Sequence, residues 1–277
     1  MTDEKEQTGQ HAKAVPPPVS AAAAPPKPAA ETPKPAPKKD EPPVIDFPPE
    51  DKRLWSVPPY LSSVYPTVYF KKTVSRFFQN ESLASLLTCF RLNRLVRTVN
   101  DRIKQGDSVL QTGLTAGPLE REIAINLNGQ SLYEIEDISR VQALTAGSKY
   151  ASWKNIRLLS RDFTFPREHE IKYDKVVVFF TLHELPDPRK KALMERALDV
   201  VNPNGEVLFV DYGMPSPYNP MKYPVILFNR LREPFAESLM TKGIKSFVDT
   251  AKAAKYIWTE ESFFGGLYRI VTASLKG

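Results

Sequence analysis

Short apolar stretches alternate with amphipathic stretches through residues 105–277. The most regular part, 173–212, runs as an apolar β-branched stretch, a polar loop, a stretch with helical spacing, an Asn-Gly pair that predicts a turn, and a second apolar stretch. Two buried strands joined by one helix are typical of a parallel pair, because a parallel connection has to cross the sheet. The same pattern predicts five strands, at 108–111, 131–135, 156–160, 175–180 and 206–211.

Helical periodicity occurs before and between these strands. Within 54–104, apolar residues recur at i, i+3, i+4 and i+7 from Leu83 to Phe90. The C-terminal end reads as two strands around Gly265-Gly266, which predicts an antiparallel hairpin. Together the patterns predict a doubly wound α/β sandwich whose mostly parallel, seven-stranded sheet ends in this hairpin. Further helices are predicted from Leu119, over 139–150, between the last two parallel strands, and over 223–255.

Residues 1–50 differ in composition from the rest. They contain 13 of the 26 prolines and many alanines, so they bury too little surface to offset their chain entropy. We interpret them as a disordered, partly polyproline tail, with a docking arm for a partner protein as the alternative. They show no apolar stretch of a secretory signal. The chain is thus divided into this tail, a helical segment at 51–104 and an α/β domain at 105–277.

The charge of the chain is basic. The net charge is +6, and because the tail contributes −2, the remaining residues carry +8. This positive charge outside the tail suits an anionic cofactor, nucleic acid or an anionic membrane surface as partner. We find no zinc-ligand spacing and no Arg-Gly tract, and expect no nucleic-acid partner. The one cysteine, Cys89, is interpreted as a buried thiol. No window approaches the length of an apolar span, so we expect a cytoplasmic protein, with peripheral contact to the inner membrane as the alternative.

A glycine turn follows the first strand of the α/β domain. It reads Gln111-Thr112-Gly113-Leu114-Thr115-Ala116-Gly117. This resembles the acid-x-Gly-x-Gly-x-Gly turn of class I S-adenosylmethionine-dependent methyltransferases, with Gly113 and Gly117 at two of the glycines and Gln111 in place of the acid. Glycine is needed where the backbone passes close under a cofactor and turns into a helix. The resemblance implies that Gln111, Gly113 and Gly117 bind S-adenosylmethionine, although a plain strand-to-helix turn has the same requirement.

Carboxylates follow the next two strands. We expect Asp137 to accept hydrogen bonds from the ribose hydroxyls of a cofactor, with Glu136 as second choice. Alternatively, Asp137 caps the next helix. By the same resemblance, Asp162 would contact the adenine amine and Phe163 would stack on the adenine ring. The alternative for Asp162 is a solvated loop acid.

Polar residues also follow the last two parallel strands. His183 and Glu184 lie after one, and Asp211 and Tyr212 end the other. Ligands of α/β sheets bind at the carboxyl ends of strands, so these four residues are the candidate catalytic group. His183 would act as a general base, with Glu184 orienting it or binding a cation. The alternatives are that His183 only organises the loop, or that it binds a metal.

Four sequence blocks carry a closer resemblance. They are VPPYLSSVYPTVYF at 57–70, VVVFFTLHELPDPRKKAL at 176–193, VNPNGEVLFVDYGMP at 201–215 and LREPFAESL at 231–239. Together they resemble the RquA family of rhodoquinone-biosynthesis enzymes. The resemblance implies a Rossmann-like class I methyltransferase fold and conversion of ubiquinone to rhodoquinone, with S-adenosylmethionine as amino donor and Mn²⁺ assisting. It also implies that Tyr60, Tyr65 and Tyr69 bind the quinone.

The chain differs from this family at three positions. Thr67 replaces a tryptophan, and Gly213 and Asn219 replace two histidines. Because imidazole is the expected group for metal binding or proton transfer there, we expect weak or no amination. The alternatives are a non-catalytic descendant that acts as an interaction protein, and an ordinary methyltransferase acting on a small aromatic. Residues 214–240 read equally as a segment lying against a bilayer or as a core helix and loop.

Overall fold

A computed structural model of the chain describes residues 45–46, 57–64, 91–115 and 118–277. Several residues named above lie outside these ranges, and the predictions on them stay predictions. They are the tail up to residue 44, Tyr65, Thr67, Tyr69, the stretch from Leu83 to Phe90 with Cys89, and Gly117.

The described residues form one mixed sheet of eight strands in the order β1-β4-β3-β2-β5-β6-β8-β7. Pairing is parallel from β1 to β6, and β8 is antiparallel to both β6 and β7. The seven predicted strands and the closing hairpin are confirmed. The eighth strand, β1, is two residues long and lies inside the stretch assigned to the tail. The strands are β1 (Ile45–Asp46), β2 (Val109–Thr112), β3 (Tyr133–Asp137), β4 (Ile156–Ser160), β5 (Tyr173–Phe179), β6 (Val201–Tyr212), β7 (Tyr256–Phe263) and β8 (Tyr268–Leu275).

The predicted Asn-Gly turn before β6 is wrong. β6 starts at Val201, directly after the preceding helix, and pairs Tyr173 with Val201 but Lys175 with Glu206. Residues 202–205 therefore form an irregularity within the strand. Glycine is required at position 205, because the Cβ of any other residue would lie 2.6 Å from the Asp174 carbonyl oxygen.

Helices cover both faces of the sheet. The predicted helical stretch 223–255 is not continuous, because Pro234 disfavours helical backbone at Glu233 and Gly243, with φ +79°, ends the next helix. Within the described residues, no helix is long and apolar enough to cross a membrane. The helices are α1 (Pro59–Val64), α2 (Leu92–Asn100), α3 (Leu119–Leu127), α4 (Arg140–Lys149), α5 (Asp187–Val200), α6 (Lys222–Arg232), α7 (Ala236–Lys242) and α8 (Thr250–Ala253), with 3₁₀ turns at Leu182–Glu184 and Ile244–Phe247.

Each face of the sheet carries its own apolar cluster, because successive strand residues point to opposite sides. Leu110 and Val176 pack against α5 and α7 on one face. Val109 and Val177 pack against α2, α3 and α4 on the other. Burial on both faces explains why the central strands read as continuous apolar stretches without polar alternation.

A buried ionic cluster lies on the α5 face, under the carboxyl edge of the sheet. Glu136 on β3 accepts hydrogen bonds from Arg161 at 2.9 Å, from Arg167 Nε at 2.8 Å and from Arg196 Nη2 at 3.0 Å. Burial alone would raise the pKa of Glu136, but the three guanidinium groups, Arg196 first, lower it to about 2. The cluster ties β3 and α5 to the loop after β4, and so fixes the position of Asp162.

Candidate functional site

The carboxyl ends of the parallel strands meet at one edge of the sheet. The register pairs Thr112 with Glu136 and Asp137 with Ser160, while Phe179 pairs with Val210. The ends of these strands and the segments that follow them therefore lie side by side. They carry Gly113, Asp137, Asp162, His183 and Asp211, the residues singled out in the sequence.

Gly113 makes the turn that leaves β2. Its φ is +82°, and a Cβ at this position would lie 2.8 Å from Thr181 Oγ1. The Thr181 hydroxyl is itself held by a hydrogen bond of 3.0 Å to the Thr112 carbonyl oxygen, so it cannot easily move away. Both the backbone conformation and the close approach of the next strand-end loop therefore require glycine here.

Asp137 holds this turn from the end of β3. Its Oδ2 accepts a hydrogen bond of 2.8 Å from the Leu114 amide, and its Oδ1 accepts one of 2.6 Å from the Ser139 amide. Burial raises the pKa of Asp137 to about 7, with the charges of Glu184 and Glu120 adding to the rise, while the two backbone bonds act against it. The alternative that Asp137 caps α4 is wrong, because Ser139 is the N-cap and its hydroxyl accepts from the Gln142 amide.

Glu136 is not available as the second choice for the ribose. Its carboxylate is 0% exposed and is committed to the three arginines of the ionic cluster. Adjacent strand residues point to opposite faces, so the structure separates Asp137 from Glu136 even though the sequence leaves them equivalent.

The glycine turn has a second carboxylate that sequence reasoning missed. Glu120 in the first turn of α3 is fully buried and accepts hydrogen bonds from the Thr115 amide at 2.6 Å and the Thr115 hydroxyl at 2.9 Å. Gln111 Nε2 donates to the same Glu120 oxygen at 2.9 Å, and Gln111 Oε1 accepts from the Tyr133 hydroxyl. An acid at position 111 would face Glu120, which explains the amide found there. An acidic residue in the first turn of the helix after a glycine turn was the signal available in the sequence.

Asp162 lies at the end of β4 beside α1. It is 1% exposed, and its Oδ1 accepts hydrogen bonds from the Thr164 amide at 2.9 Å and the Thr164 hydroxyl at 2.6 Å. It is therefore buried, and the alternative of a solvated loop acid is wrong. Phe163, expected to stack on adenine, packs in the core cluster on the α5 face with 4% exposure. Its ring is not presented at the edge in this structure.

Tyr60 on α1 is brought to the same part of the edge. Its ring makes an edge contact with Phe235, with centroids 6.4 Å apart. Burial raises the pKa of Tyr60 well above its ordinary value, and the charges of Asp162 and Glu184 raise it further. Tyr60, assigned to the substrate in the sequence, thus lies close to the carboxylate assigned to the cofactor.

His183 and Asp211 form a buried pair at the ends of β5 and β6. His183 Nδ1 lies 2.9 Å from Asp211 Oδ1, and the His183 amide donates to Asp211 Oδ2 at 3.2 Å. Burial alone would lower the pKa of His183, but the Asp211 carboxylate, with smaller contributions from Glu233 and Glu184, raises it to about 9. The imidazole is therefore charged at neutral pH and is a proton donor there, so the general-base role expected from the sequence does not fit this state.

Aromatic rings surround this pair. Phe180 leaves β5 with φ +50° and contacts His183, Tyr212 and Tyr268 at centroid distances of 6.2, 5.7 and 5.6 Å. Tyr212 lies edge-on to His183 at 4.9 Å. Phe179 also packs edge-on against Phe180, at 5.1 Å. A bulky residue in left-handed backbone is strained, and it persists here because these four rings pack around it.

Glu184 lies between the glycine turn and the His183–Asp211 pair in its electrostatic effects. It is half-buried, and its charge raises the pKa values of Asp137, Tyr60 and His183. Glu184 therefore lies within electrostatic reach of both the glycine turn and the His183–Asp211 pair.

The two positions where the RquA family has histidine support the C-terminal hairpin in this chain. A Cβ at Gly213 would lie 2.5 Å from the Gly266 carbonyl oxygen. Asn219 donates a hydrogen bond of 2.6 Å to the Phe264 carbonyl oxygen and accepts one of 2.9 Å from the Met221 amide. Across the described ranges, no group of three or more His, Cys, Asp or Glu residues is arranged to hold a metal ion.

The residues at the edge fit an adenosine-type cofactor. Thr112 and Ser160, which end β2 and β4, and Tyr60 on α1 each carry a buried hydroxyl oxygen that has no hydrogen-bond partner in the described part of the chain. Buried hydroxyls left unpaired cost about 1–3 kcal/mol each, so a polar ligand that reached them would be favoured. The glycine turn at Gly113 and the carboxylate of Asp137 supply the close approach and the hydrogen-bond acceptors that a ribose needs.

Comparison with known proteins identifies the fold. No protein-family model matches the sequence, and no curated protein matches it. The mitomycin 7-O-methyltransferase MmcR is 12% identical with a TM-score of 0.55, over 77% of this chain and 60% of that one. Human N-acetylserotonin methyltransferase in complex with S-adenosylmethionine is 16% identical with a TM-score of 0.52, over 80% and 61%. An O-methyltransferase family protein from Burkholderia thailandensis is 15% identical with a TM-score of 0.54, over 79% and 70%.

The chain spans about 60% of the length of the first two of these proteins. At such identities the likeness concerns the fold, and the resemblance to the RquA family stays a prediction. The order of the strands and the closing antiparallel pair therefore agree with the fold of these structural neighbours. The chain has the fold of the class I S-adenosylmethionine-dependent methyltransferases.

Proposed function

We propose that the protein is an S-adenosylmethionine-dependent transferase that acts on a small aromatic ring of the quinone type. One observation carries the proposal. The charged His183–Asp211 pair, with aromatic rings around it, lies on the same sheet edge as the Gly113 turn and Asp137, and Glu184 is within electrostatic reach of both. On this proposal, a cofactor site and a site for an aromatic substrate would be adjacent.

The cofactor side would be formed by the turn and by two carboxylates. Gly113 allows close approach of the backbone, Asp137 would accept from the ribose hydroxyls through its free lone pairs, and Asp162 would accept from the adenine amine. When bound, S-adenosylmethionine supplies the group that is transferred. Gln111 would act indirectly, by holding Glu120 and so the turn.

The substrate side would be formed by His183, Phe180 and Tyr212, and Tyr60, which lies close to Asp162, would stand between it and the cofactor side. The imidazolium of His183 is oriented through Nδ1 by Asp211, and we assign Nε2 to an oxygen of the substrate ring. A cation at this point stabilises negative charge on that oxygen, as in a quinol that has lost a proton. The aromatic rings offer flat apolar surface to the ring plane.

Aminating activity of the RquA type is the narrower form of this proposal, and we expect it to be weak or absent. The packing of Gly213 and Asn219 against the hairpin supports this expectation, because these positions do not supply the imidazoles of that family. The same observation favours the second candidate, a non-catalytic descendant that binds the cofactor or a quinone and acts as an interaction protein.

Calorimetry with S-adenosylmethionine and S-adenosylhomocysteine tests the cofactor assignment. We expect the unmodified chain to bind both, and Asp162→Asn to weaken binding about 10-fold or more through loss of a charged acceptor. Asp199→Asn is the matched control, because Asp199 is an exposed carboxylate that pairs with Lys252 and lies at the opposite edge. Absence of binding to the unmodified chain, or equal effects of the two variants, would refute the assignment.

Product analysis tests the transfer. The chain is incubated with S-adenosylmethionine and either a ubiquinol analogue or a small phenol, with and without Mn²⁺. We expect a transferred group on the ring and about a 100-fold slower reaction in His183→Ala. His169→Ala is the control, since His169 is exposed in a charged loop. Cofactor binding without any product would support the non-catalytic candidate.

A further inference from the structure

Exposed large apolar side chains of the described residues are concentrated on α6 and the loop before it. Six of the eleven large apolar side chains that are exposed fall between residues 214 and 231. On α6, Tyr223, Leu227 and Leu231 are 74%, 60% and 72% exposed. They follow one another at i, i+4 and i+8, so they form one stripe along the helix.

The stripe is widened by neighbouring side chains. Phe228 is 48% exposed on its edge, and Tyr218 in the preceding loop is 95% exposed. The opposite side of α6 is anchored in the protein: Met221 and Val225 pack against the apolar cluster of the α2 face, and the Asn229 amide contacts Met240. The helix is therefore held with its apolar stripe outward.

Basic residues accompany the stripe and acidic residues are missing from α6. The helix contains Lys222, Arg230 and Arg232 and no Asp or Glu. Arg230 also pairs with Glu237 of α7 at 3.6 Å, but both side chains are exposed, and Lys222 and Arg232 add to the basic charge. At 3.6 residues per turn, Arg230 projects on one side of the stripe and Arg232 on the other. An apolar stripe with tyrosine and flanking basic side chains is typical of a helix that lies in the plane of a membrane surface, where arginine reaches anionic headgroups and tyrosine occupies the interface.

We propose that α6 and the loop from Met214 dock the protein on a bilayer that contains anionic lipid. The basic charge of the helix favours an anionic bilayer over an apolar partner that lacks acidic groups. The position of α6 also supports the proposal, because the chain enters α6 from Tyr212 at the carboxyl edge of the sheet. The docking itself does not depend on the proposed transfer reaction. If both hold, the site would open towards the bilayer, where an apolar quinone resides.

Vesicle co-sedimentation of the full chain tests the docking. We expect binding to vesicles of phosphatidylcholine with about one third phosphatidylglycerol, and much weaker binding to phosphatidylcholine alone. The double variant Leu227→Glu with Leu231→Glu should lose binding by at least about 10-fold, because it places two charges in the apolar layer. The double variant Arg230→Gln with Arg232→Gln should bind the anionic vesicles about 30-fold more weakly, and its affinity for the neutral vesicles should change little.

The control is Ile125→Glu, which puts the same charge at an apolar side chain of α3 that is 52% exposed and far from α6 in sequence. It should bind vesicles nearly as the unmodified chain does, and thermal unfolding should show all variants folded. Absence of vesicle binding by the unmodified chain, or an equal loss in Ile125→Glu, would overturn the proposal. A dimer in sedimentation analysis that is abolished by the leucine variant would also overturn it, since a second copy would then cover the stripe. Calorimetry with S-adenosylmethionine is independent of these outcomes and separates a failure here from a failure of the transferase assignment.

Discussion

Replacing Asp211 with asparagine tests the central electrostatic claim about the site. Asp211 is fully buried and its carboxylate receives hydrogen bonds from His183 Nδ1, the His183 amide and the Tyr212 amide. Asparagine keeps the shape but removes the negative charge. Burial would then dominate, and the pKa of His183 should fall from about 9 to below its ordinary value of 6.5.

The size of the effect follows from the shift. A rise from 6.5 to about 9 corresponds to about 3 kcal/mol of stabilisation of the charged pair. Because the folded-state pKa of His183 is raised, this stabilisation is fully present below pH 6.5 and is lost as the pH rises towards 9. Asp211→Asn should therefore cost about 3 kcal/mol more at pH 6 than at pH 9.5. The destabilisation that remains at pH 9.5 measures the loss of hydrogen bonding apart from the charge interaction.

Urea unfolding of both proteins at pH 6, 8 and 9.5 measures this difference. The chain has three histidines, so imidazole NMR signals can be assigned with His183→Gln and titrated directly. The pKa of Asp137 is raised to about 7, so its titration changes the free energy of unfolding mainly between pH 4 and 7. The change between pH 7 and 9 can therefore be assigned to His183. A stability gap that is the same at pH 6 and pH 9.5, or a His183 pKa at or below 6.5 in the unmodified chain, would refute the reasoning.

Two further predictions concern the glycine turn. Gly113→Ala should lower the unfolding midpoint by at least about 4 °C more than Gly129→Ala, because both glycines have positive φ but only Gly113 has a neighbour, Thr181 Oγ1, within contact distance of the added Cβ; equal midpoints would show that the contact with Thr181 is unimportant. Gln111→Glu should destabilise the protein by about 1–3 kcal/mol at pH 7 and by clearly less near pH 4.5, because two carboxylates would then face each other and protonation of one relieves the repulsion. Thermal unfolding at the two pH values measures the difference, and a loss that is independent of pH would place the cause elsewhere than in Glu120.

The sequence predicted the architecture because its signals are local. Strand and helix periods differ, so the alternation of patterns gave the parallel sheet and the closing hairpin without knowledge of any contact. The ends of β3, β5 and β6 placed Asp137, His183 and Asp211 at one edge for the same reason, since all parallel strands end on one side. Errors arose where local signals compete, as at Asn204-Gly205, which lies within an irregular strand, and at Pro234 and Gly243, which divide the predicted long helix.

Only the tertiary structure decided which of the equivalent polar residues are available. Glu136 and Asp137 are neighbours in sequence, but three arginines from two later segments neutralise Glu136, while the Leu114 and Ser139 amides hold Asp137. The charge on His183 depends on Asp211, 28 positions away, and on burial of the pair. Hydrogen bonding and desolvation act over a few ångströms, and the fold brings these groups together across long stretches of chain, so the strength and sign of their interaction are set by three-dimensional contacts that no local pattern contains.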